Sequence, residues 1–289
     1  MTKYSHNGNG CGADARPPAA KRLDARSVSL RREILAVLRA ARRGHLASAL
    51  SLVEILRCLY DGVLRYDPAN PQWPDRDRCL LSKGHGALAL YAILADKGLL
   101  PRELLSSFAG IDSPLSGLAV RTPELGVECS GGSLGHGLSL GVGMALACRM
   151  RGGPSRVYVI VGDGETQEGS IWEAALSASQ HGLDNLCVIV DHNGQQSWGC
   201  LDEVVGMEPY AEKWAAFGFC VHEADGHDVD DLKRAFGNAS GNGRPHAVIC
   251  RTVKGRGIAS VEGNLDWHHQ SRVPLETIEA LEKELEAAS

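Results

Sequence analysis

Two short polar motifs, each directly after an apolar run, could together hold a divalent cation and a diphosphate. The first is Gly-Asp-Gly-Glu at residues 162–165, and the second is Asp-His-Asn-Gly-Gln at residues 191–195. Asp163 can give a cation a charged oxygen, Asn193 a neutral one and the backbone carbonyl of Gln195 a third. Magnesium keeps octahedral oxygen coordination and shares phosphate oxygens with only a few protein ligands. The donor set therefore suits Mg²⁺ bound to a diphosphate, and Ca²⁺ or Mn²⁺ could take the same oxygens.

The glycines beside Asp163 would let a phosphate approach the main chain. Gly162 and Gly164 have no side chain, and the N–H of Gly164 can be offered to a phosphate oxygen. Either motif alone is equally typical of an ordinary turn after a strand. A joint site is favoured because ligands of an open parallel sheet bind outside the carboxyl ends of its strands. No G-x-G-x-x-G follows the first strand, which excludes a dinucleotide fingerprint.

The elements that must position these motifs follow an α/β pattern. Continuous apolar runs predict buried parallel strands, and segments with helical spacing of apolar residues lie between them. The predicted strands are residues 79–81, 157–161, 186–190, 220–223 and 247–250. The predicted helices are residues 24–60 with a break at Gly44-His45, 87–97, 134–150, 171–180, 229–236 and 276–287, the last an acidic helix with a solvated face. We therefore expect an α/β fold: a doubly wound, mainly parallel sheet with helices on both faces.

Length and composition are those of a globular protein. The 289 residues carry a net charge of −5 and are 44% hydrophobic, which excludes wholesale disorder and argues against nucleic-acid binding by bulk electrostatics. No apolar run reaches the ~20 residues that a membrane span needs. Residues 23–289 are typical of one domain, and residues 1–22 of a flexible tail. Because this tail has no apolar signal core, we expect a cytoplasmic protein. Nine cysteines without a C-x-x-C pair argue against a zinc site or a disulfide framework.

Residues around the first motif carry a specific resemblance. Residues 162–169, followed by Trp-Glu-Ala-Ala at 172–175, resemble transketolase, and Gly-Asp-Gly followed by a distant Asn resembles the thiamine diphosphate motif. Three further stretches agree in the order of that family, at residues 44–46, 76–86 and 126–135, and the similarity covers residues 25–272. The resemblance implies a transferase that uses thiamine diphosphate and Mg²⁺. It would move a two-carbon ketol unit from a ketose or ketose phosphate donor to an aldehyde or related acceptor.

The resemblance also implies roles for individual residues. Asp163, Asn193 and the carbonyl of Gln195 match the metal ligands. His45 and His85 match histidines that line the cofactor and the substrate channel and take part in proton transfer and donor orientation. The remaining matches are Gly132, Leu134, Gly162, Gly164 and Glu165 at the cofactor, Glu168 and Glu173 at a subunit interface that shares protons between active sites, and His268 or His269 at the diphosphate.

The resemblance stops where a complete transketolase would continue into a second, pyrimidine-binding domain. In that family the cofactor lies across an interface, and the glutamate that activates it belongs to the pyrimidine domain. We therefore expect this chain to be the amino-terminal subunit of a split transketolase, inactive alone. The expected assembly is a homodimer of this chain joined by two copies of a separate pyrimidine-binding subunit, which together make an α2β2 heterotetramer.

Two positions depart from the family pattern. Leu118 stands where the family has a substrate-channel histidine, and His136 where it usually has glutamine. Because the metal and diphosphate motifs are intact, the departures favour ketol transfer with an altered donor or acceptor.

Two other functions stay open from the sequence. The chain could be the α subunit of a 2-oxoacid dehydrogenase, a family that favours alanine after Gly-Asp-Gly and a paired Asn-Asn after the second strand. Glu165 and residues 191–194 fit transketolase better. Alternatively, the loss of the histidine at Leu118 could mark a non-catalytic partner that binds the cofactor and regulates or scaffolds.

Overall fold

Five parallel strands form the centre of the protein in a computed structural model that describes residues 22–239 and 241–288. The strands are β1 (Arg78–Leu81), β2 (Val157–Gly162), β3 (Leu186–His192), β4 (Cys220–Asp225) and β5 (His246–Arg251). Their order in the sheet is β1-β2-β3-β5-β4, and every pairing is parallel. The predicted α/β fold and the five predicted strands are confirmed.

Helices cover the sheet, and within the described residues none is long and apolar enough to cross a membrane. They are α1 (Ala25–Ala41), α2 (Leu46–Leu50), α3 (Val53–Cys58), α4 (Ala87–Asp96), α5 (His136–Met150), α6 (Gly169–Gln180), α7 (Leu201–Val204), α8 (Tyr210–Ala216), α9 (Val229–Asn238) and α10 (Leu275–Ala287). Helix α5 begins two residues later than predicted, because Gly135 before it has a left-handed φ of 82°.

Alternate residues of the strands face two separate apolar cores. Tyr158 and Ile160 of β2 pack with residues of α1–α4, α9 and α10. Val157, Val159 and Val161 face the other way and pack with residues of α5, α6 and α8. Strands buried on both faces are what the continuous apolar runs predicted.

The acidic helix α10 is solvated on one side only. Its residues Ile278, Leu281 and Leu285 are buried, and the helix packs against α1. On the outer side Glu282 pairs with Arg39 of α1 at 2.6 Å. The predicted tail, residues 1–22, lies outside the described residues except for Arg22, and the single domain at 23–289 stays a prediction.

A buried ion pair joins α1 and α3 to the segment that follows β5. Arg31 is fully buried and its guanidinium donates to both carboxylate oxygens of Glu54, at 2.6 and 3.0 Å. His227 donates from Nδ1 to Glu54 at 2.8 Å, since its Nε2 accepts from the N–H of Val253. Arg31 also donates to the carbonyl of Arg256 at 2.8 Å. Burial opposes ionisation of Glu54, but the charge of Arg31 and these hydrogen bonds outweigh it and hold the Glu54 pKa below its ordinary value.

Replacing Arg31 with methionine should lower the free energy of unfolding by about 3–5 kcal/mol, because Glu54 would be left buried without its cation. Urea unfolding of the variant measures this, with Arg32→Met, an exposed position on the same helix, as the matched control within about 0.5 kcal/mol of the parent. The Glu54 pKa is depressed, so the stabilisation is present above the unfolded-state pKa and lost as the pH falls through the folded-state pKa. Equal midpoints for the two variants would contradict this role of the pair.

Candidate functional site

The two polar motifs meet at the carboxyl ends of β2 and β3. Gly162 lies opposite Asp191 in the last paired position of the two strands. Just beyond it, the buried carboxylate of Asp163 accepts the N–H of Gly164 at 2.7 Å and the N–H of Gly194 at 2.6 Å. The second contact ties the loop of the second motif directly to the aspartate of the first. The structure thus brings together the residues that the sequence predicted as one site.

The carboxylate of Asp163 has the surroundings of a cation ligand. Burial raises its pKa, His192 opposes the rise, and the nearby charge of Asp191 adds to it. Among the described residues Asp163 makes no ion pair, and the hydrogen bonds to its carboxylate come from main-chain N–H groups. Asn193, next to Gly194, holds its side-chain oxygen near the N–H of Gln195, at 3.1 Å. A divalent cation bound beside Asp163 would supply the missing positive charge.

A metal site at Asp163 would depend on amide and phosphate oxygens. No group of three or more His, Cys, Asp or Glu side chains that could hold a metal occurs in the described part of the chain. Of the predicted ligands only Asp163 carries a charge, and the other two are the Asn193 amide and the Gln195 carbonyl. Such a donor set suits Mg²⁺ when a diphosphate supplies further oxygens.

Glu165 holds together the segments that line the site. Its side chain is buried and accepts hydrogen bonds from the hydroxyl of Ser82, the N–H of Gly135 at 2.9 Å and the N–H of Gly162 at 3.0 Å. These three residues belong to the ends of β1 and β2 and to the start of α5. The predicted direct contact of Glu165 with the cofactor stays a prediction, and the contacts present favour a positioning role.

Four histidines from three distant segments form one cluster. The ring of His45 lies 5.7 Å from that of His85, 5.7 Å from that of His268 and 4.5 Å from that of His269, between centroids. His85 and His268 are 5.6 Å apart. His268 therefore contacts both His45 and His85, whereas His269 is more exposed and its ring is tilted by 49° against that of His45. The structure brings both sequence alternatives for the late histidine to the same place.

The histidine cluster lines a cavity of about 800 Å³. Leu118, Gly132 and Leu134 also line it, so the departure from the family pattern at Leu118 faces the same space as the histidines. A Cβ at Gly132 would lie 3.1 Å from the side chain of Leu118, and the φ of Gly132 is 123°, so this wall suits glycine. None of the described residues that line the cavity carries a carboxylate, and Asp163 and Asn193 are outside its wall.

Three histidines of the cluster, His45, His85 and His268, are neutral near pH 7. Burial, followed by nearby positive groups, lowers the pKa of His45 to about 4 and that of His268 to about 3. For His85 burial and the charge of Lys83 lower the pKa well below its ordinary value. Neutral imidazoles can both donate and accept a proton at an uncharged ligand.

Two buried lysines stand behind the cavity and had no role assigned from the sequence. Lys83 pairs with Asp191, which also accepts from the hydroxyls of Ser51 and Thr252. Lys254 is 2% exposed, makes no ion pair among the described residues, and contacts Nδ1 of His268 at 2.8 Å. Each lysine precedes a glycine within the part of the chain that resembles the family. That position is the only signal in the sequence that could have pointed to a role for them. A buried ammonium without a carboxylate suits an anionic ligand.

The remaining predicted residues lie outside the cavity. Glu168, the residue before α6, and Glu173, in the helix, are both exposed, which is compatible with the predicted interface but does not test it. His136 is exposed at the start of α5, where Nδ1 lies 3.2 Å from the hydroxyl of Ser133. Of the two departures from the family pattern, only Leu118 therefore faces the cavity.

Comparisons with known proteins agree on one family. Residues 24–286 match the family described as "Transketolase, thiamine diphosphate binding domain". An apulose-4-phosphate transketolase subunit of Actinobacillus succinogenes is 42% identical over 249 residues, which cover 86% of this chain and 90% of that relative. The 6-deoxy-6-sulfo-D-fructose transketolase subunit SqwG of a Clostridium strain is 43% identical over 227 residues, 78% of this chain and 82% of that relative.

Solved structures agree with the sequence relatives. The crystal structure of transketolase from Campylobacter jejuni superposes with a TM-score of 0.81 at 30% identity, covering 90% of this chain and 42% of that chain. This chain thus spans about two fifths of the length of that solved transketolase.

Proposed function

This chain belongs to the transketolase family, and from that membership we propose that it is the thiamine diphosphate-binding subunit of a split transketolase-like enzyme. The proposed reaction is transfer of a two-carbon ketol unit from a ketose or ketose phosphate to an aldehyde or related acceptor. The observations that support it most are the buried carboxylate of Asp163, which holds the Asn193 loop, and a cavity lined by the neutral His45, His85 and His268. A cytoplasmic location also stays a proposal.

We assign the cofactor to the carboxyl ends of β2 and β3. Asp163, Asn193 and the carbonyl of Gln195 would hold Mg²⁺, and the ammonium of Lys254 would face the diphosphate. The N–H of Gly164, predicted to meet the diphosphate, donates to Asp163 in this structure. The residues fit these groups, because Asp163 lacks a cation and Lys254 lacks an anion within the described chain. Bound thiamine diphosphate supplies the carbanion and electron sink that ketol transfer needs.

The histidine cluster would handle the substrate. His45 and His85 are neutral, so each can hydrogen-bond a hydroxyl or carbonyl of the donor and pass a proton when the carbon–carbon bond breaks or forms. His268, also neutral, can hydrogen-bond an oxygen of the donor. Their partial burial keeps bulk water from the reacting atoms. Glu168 and Glu173 are assigned to the subunit interface.

We propose that a separate pyrimidine-binding subunit completes the enzyme, in an α2β2 heterotetramer. In support, this chain matches 90% and 82% of the length of two relatives that are named as subunits. It matches only 42% of the chain of the solved Campylobacter jejuni transketolase. Helices α5 and α6 also expose apolar side chains to solvent, with Leu140 at 47% and Leu176 at 60%. Exposed apolar surface of this kind is typical of an interface.

Turnover by the reconstituted complex tests the function. With a ketose phosphate, an aldehyde acceptor, thiamine diphosphate and Mg²⁺, the product should be a ketose two carbons longer than the acceptor. Decarboxylation of a 2-oxoacid instead would favour the dehydrogenase alternative. Cofactor binding without turnover of any ketose donor would favour a regulatory partner.

Replacing Leu118 with histidine should raise kcat/KM for ordinary ketose phosphates up to about tenfold and lower it for the native substrate. The leucine forms an apolar wall of the cavity, and a hydrogen bond to a donor hydroxyl in its place is worth about 0.5–1.5 kcal/mol. Both substrate classes would be assayed in the complex. Val120→His, at an exposed position that does not line the cavity, is the control. Equal changes for both classes in Leu118→His would show that this side chain does not face the sugar.

A further inference from the structure

Lys254 is held rigidly between β5 and the histidine cluster. Its carbonyl accepts the N–H of Gly263 at 2.9 Å, and the next residue, Gly255, donates to the carbonyl of Ala47 at 2.9 Å. The side chain is buried, and its ammonium lies 2.8 Å from Nδ1 of His268. An anchored main chain and a buried side chain fix the position of the ammonium relative to the imidazole.

The charge states leave one direction for this hydrogen bond. Burial lowers the pKa of Lys254 to about 8, so the side chain is still mainly an ammonium at pH 7. An ammonium has three donors and no acceptor. Nδ1 of His268 must therefore accept, and the neutral ring then carries its proton on Nε2.

We propose that Lys254 is a positioning residue that fixes His268 in the tautomer with the proton on Nε2. His268 lines the cavity, and with Nδ1 engaged by Lys254 the Nε2–H is the ring group that remains for a ligand. His268 thus offers a hydrogen-bond donor, rather than a base, to an oxygen of the substrate. The use of that donor rests on the proposed ketol transfer, whereas the tautomer itself does not.

The tautomer is measurable in the full chain without cofactor, by ¹H–¹⁵N multiple-bond correlation of ¹⁵N-histidine-labelled protein at pH 7. Signals of His268 are assigned by their loss in His268→Gln. We expect an unprotonated Nδ1 and a protonated Nε2 in the parent and in Lys254→Arg, which keeps a donor. In Lys254→Met, which has a similar length but no donor, we expect a mixture of tautomers. The signals of His269, which does not contact Lys254, serve as the internal control.

Two results would overturn the proposal: a proton on Nδ1 of His268 in the parent protein, or an unchanged His268 pattern in Lys254→Met. Should Lys254→Met not fold by circular dichroism, the parent spectrum and Lys254→Leu, which also lacks a donor, decide in the same way. If the tautomer is as expected but the complex turns over no ketose, the proposed function fails and the positioning role stands.

A kinetic comparison in the reconstituted complex at saturating cofactor tests the use of the donor. Glutamine can place an amide N–H near the position of Nε2, whereas asparagine places it near Nδ1. We expect His268→Gln to keep at least tenfold more kcat/KM than His268→Asn. Lys254→Met should then lower kcat/KM less in the His268→Gln background than in the parent, because the glutamine has no tautomer to fix. Equal activity of the two His268 variants would contradict a donor at Nε2.

Discussion

Replacing Asp163 with alanine is expected to abolish magnesium-dependent binding of thiamine diphosphate. Asp163 is the only charged ligand that we assign to the cation, and its buried carboxylate accepts the N–H of Gly164 and that of Gly194. Alanine would remove the ligand and also release the contact that holds the two motif loops together. Groups that only support metal ligands are worth about 10–100-fold in metal affinity, so loss of the ligand itself should exceed about 100-fold.

Titration calorimetry of the assembled complex with cofactor, in the presence and absence of Mg²⁺, measures this effect. Asp202→Ala, at an exposed aspartate in α7, is the matched control and should bind as the parent does. Circular dichroism of Asp163→Ala checks that the fold survives, since the cores on both sides of the sheet do not involve this residue. An affinity equal to that of the control would remove the assignment of the site.

The pairing of the two motifs could be predicted because it depends on local rules. Val157–Gly162 and Leu186–His192 are continuous apolar strands joined by one helix, and such strands lie side by side with their carboxyl ends at the same edge. Everything needed for that inference lies within one βαβ unit. The sequence alone therefore places Asp163 and Asn193 in one site.

The buried pairs behind the site could not be predicted in the same way. The ion pair of Lys83 and Asp191 joins residues 108 apart in sequence. The hydrogen bond from Arg31 to the main-chain carbonyl of Arg256 joins residues 225 apart. Their contact depends on how several elements pack, which no local pattern encodes. The buried side of α10 is hard to predict for a related reason: its acidic residues dominate the composition and obscure the stripe of Ile278, Leu281 and Leu285.

The single chain is expected to show no ketol transfer above the buffer rate, and an equimolar amount of the pyrimidine-binding subunit should restore it. None of the described residues that line the cavity carries a carboxylate, and under the split-enzyme proposal the glutamate that activates the cofactor belongs to the pyrimidine-binding subunit. By light scattering, the chain alone should be a homodimer and the mixture a heterotetramer.

An assembly variant separates this requirement from a general loss of activity. Leu176→Asp places a charge on the exposed apolar face of α6, where Leu176 is 60% exposed, whereas Leu275→Asp does so at the start of α10, where Leu275 is 39% exposed. We expect Leu176→Asp to weaken assembly and turnover together, because a charge at a buried interface has to be desolvated. Leu275→Asp should change neither. If the chain alone were a fully active monomer, the split-enzyme proposal would be wrong, and the acid would have to be sought in this chain.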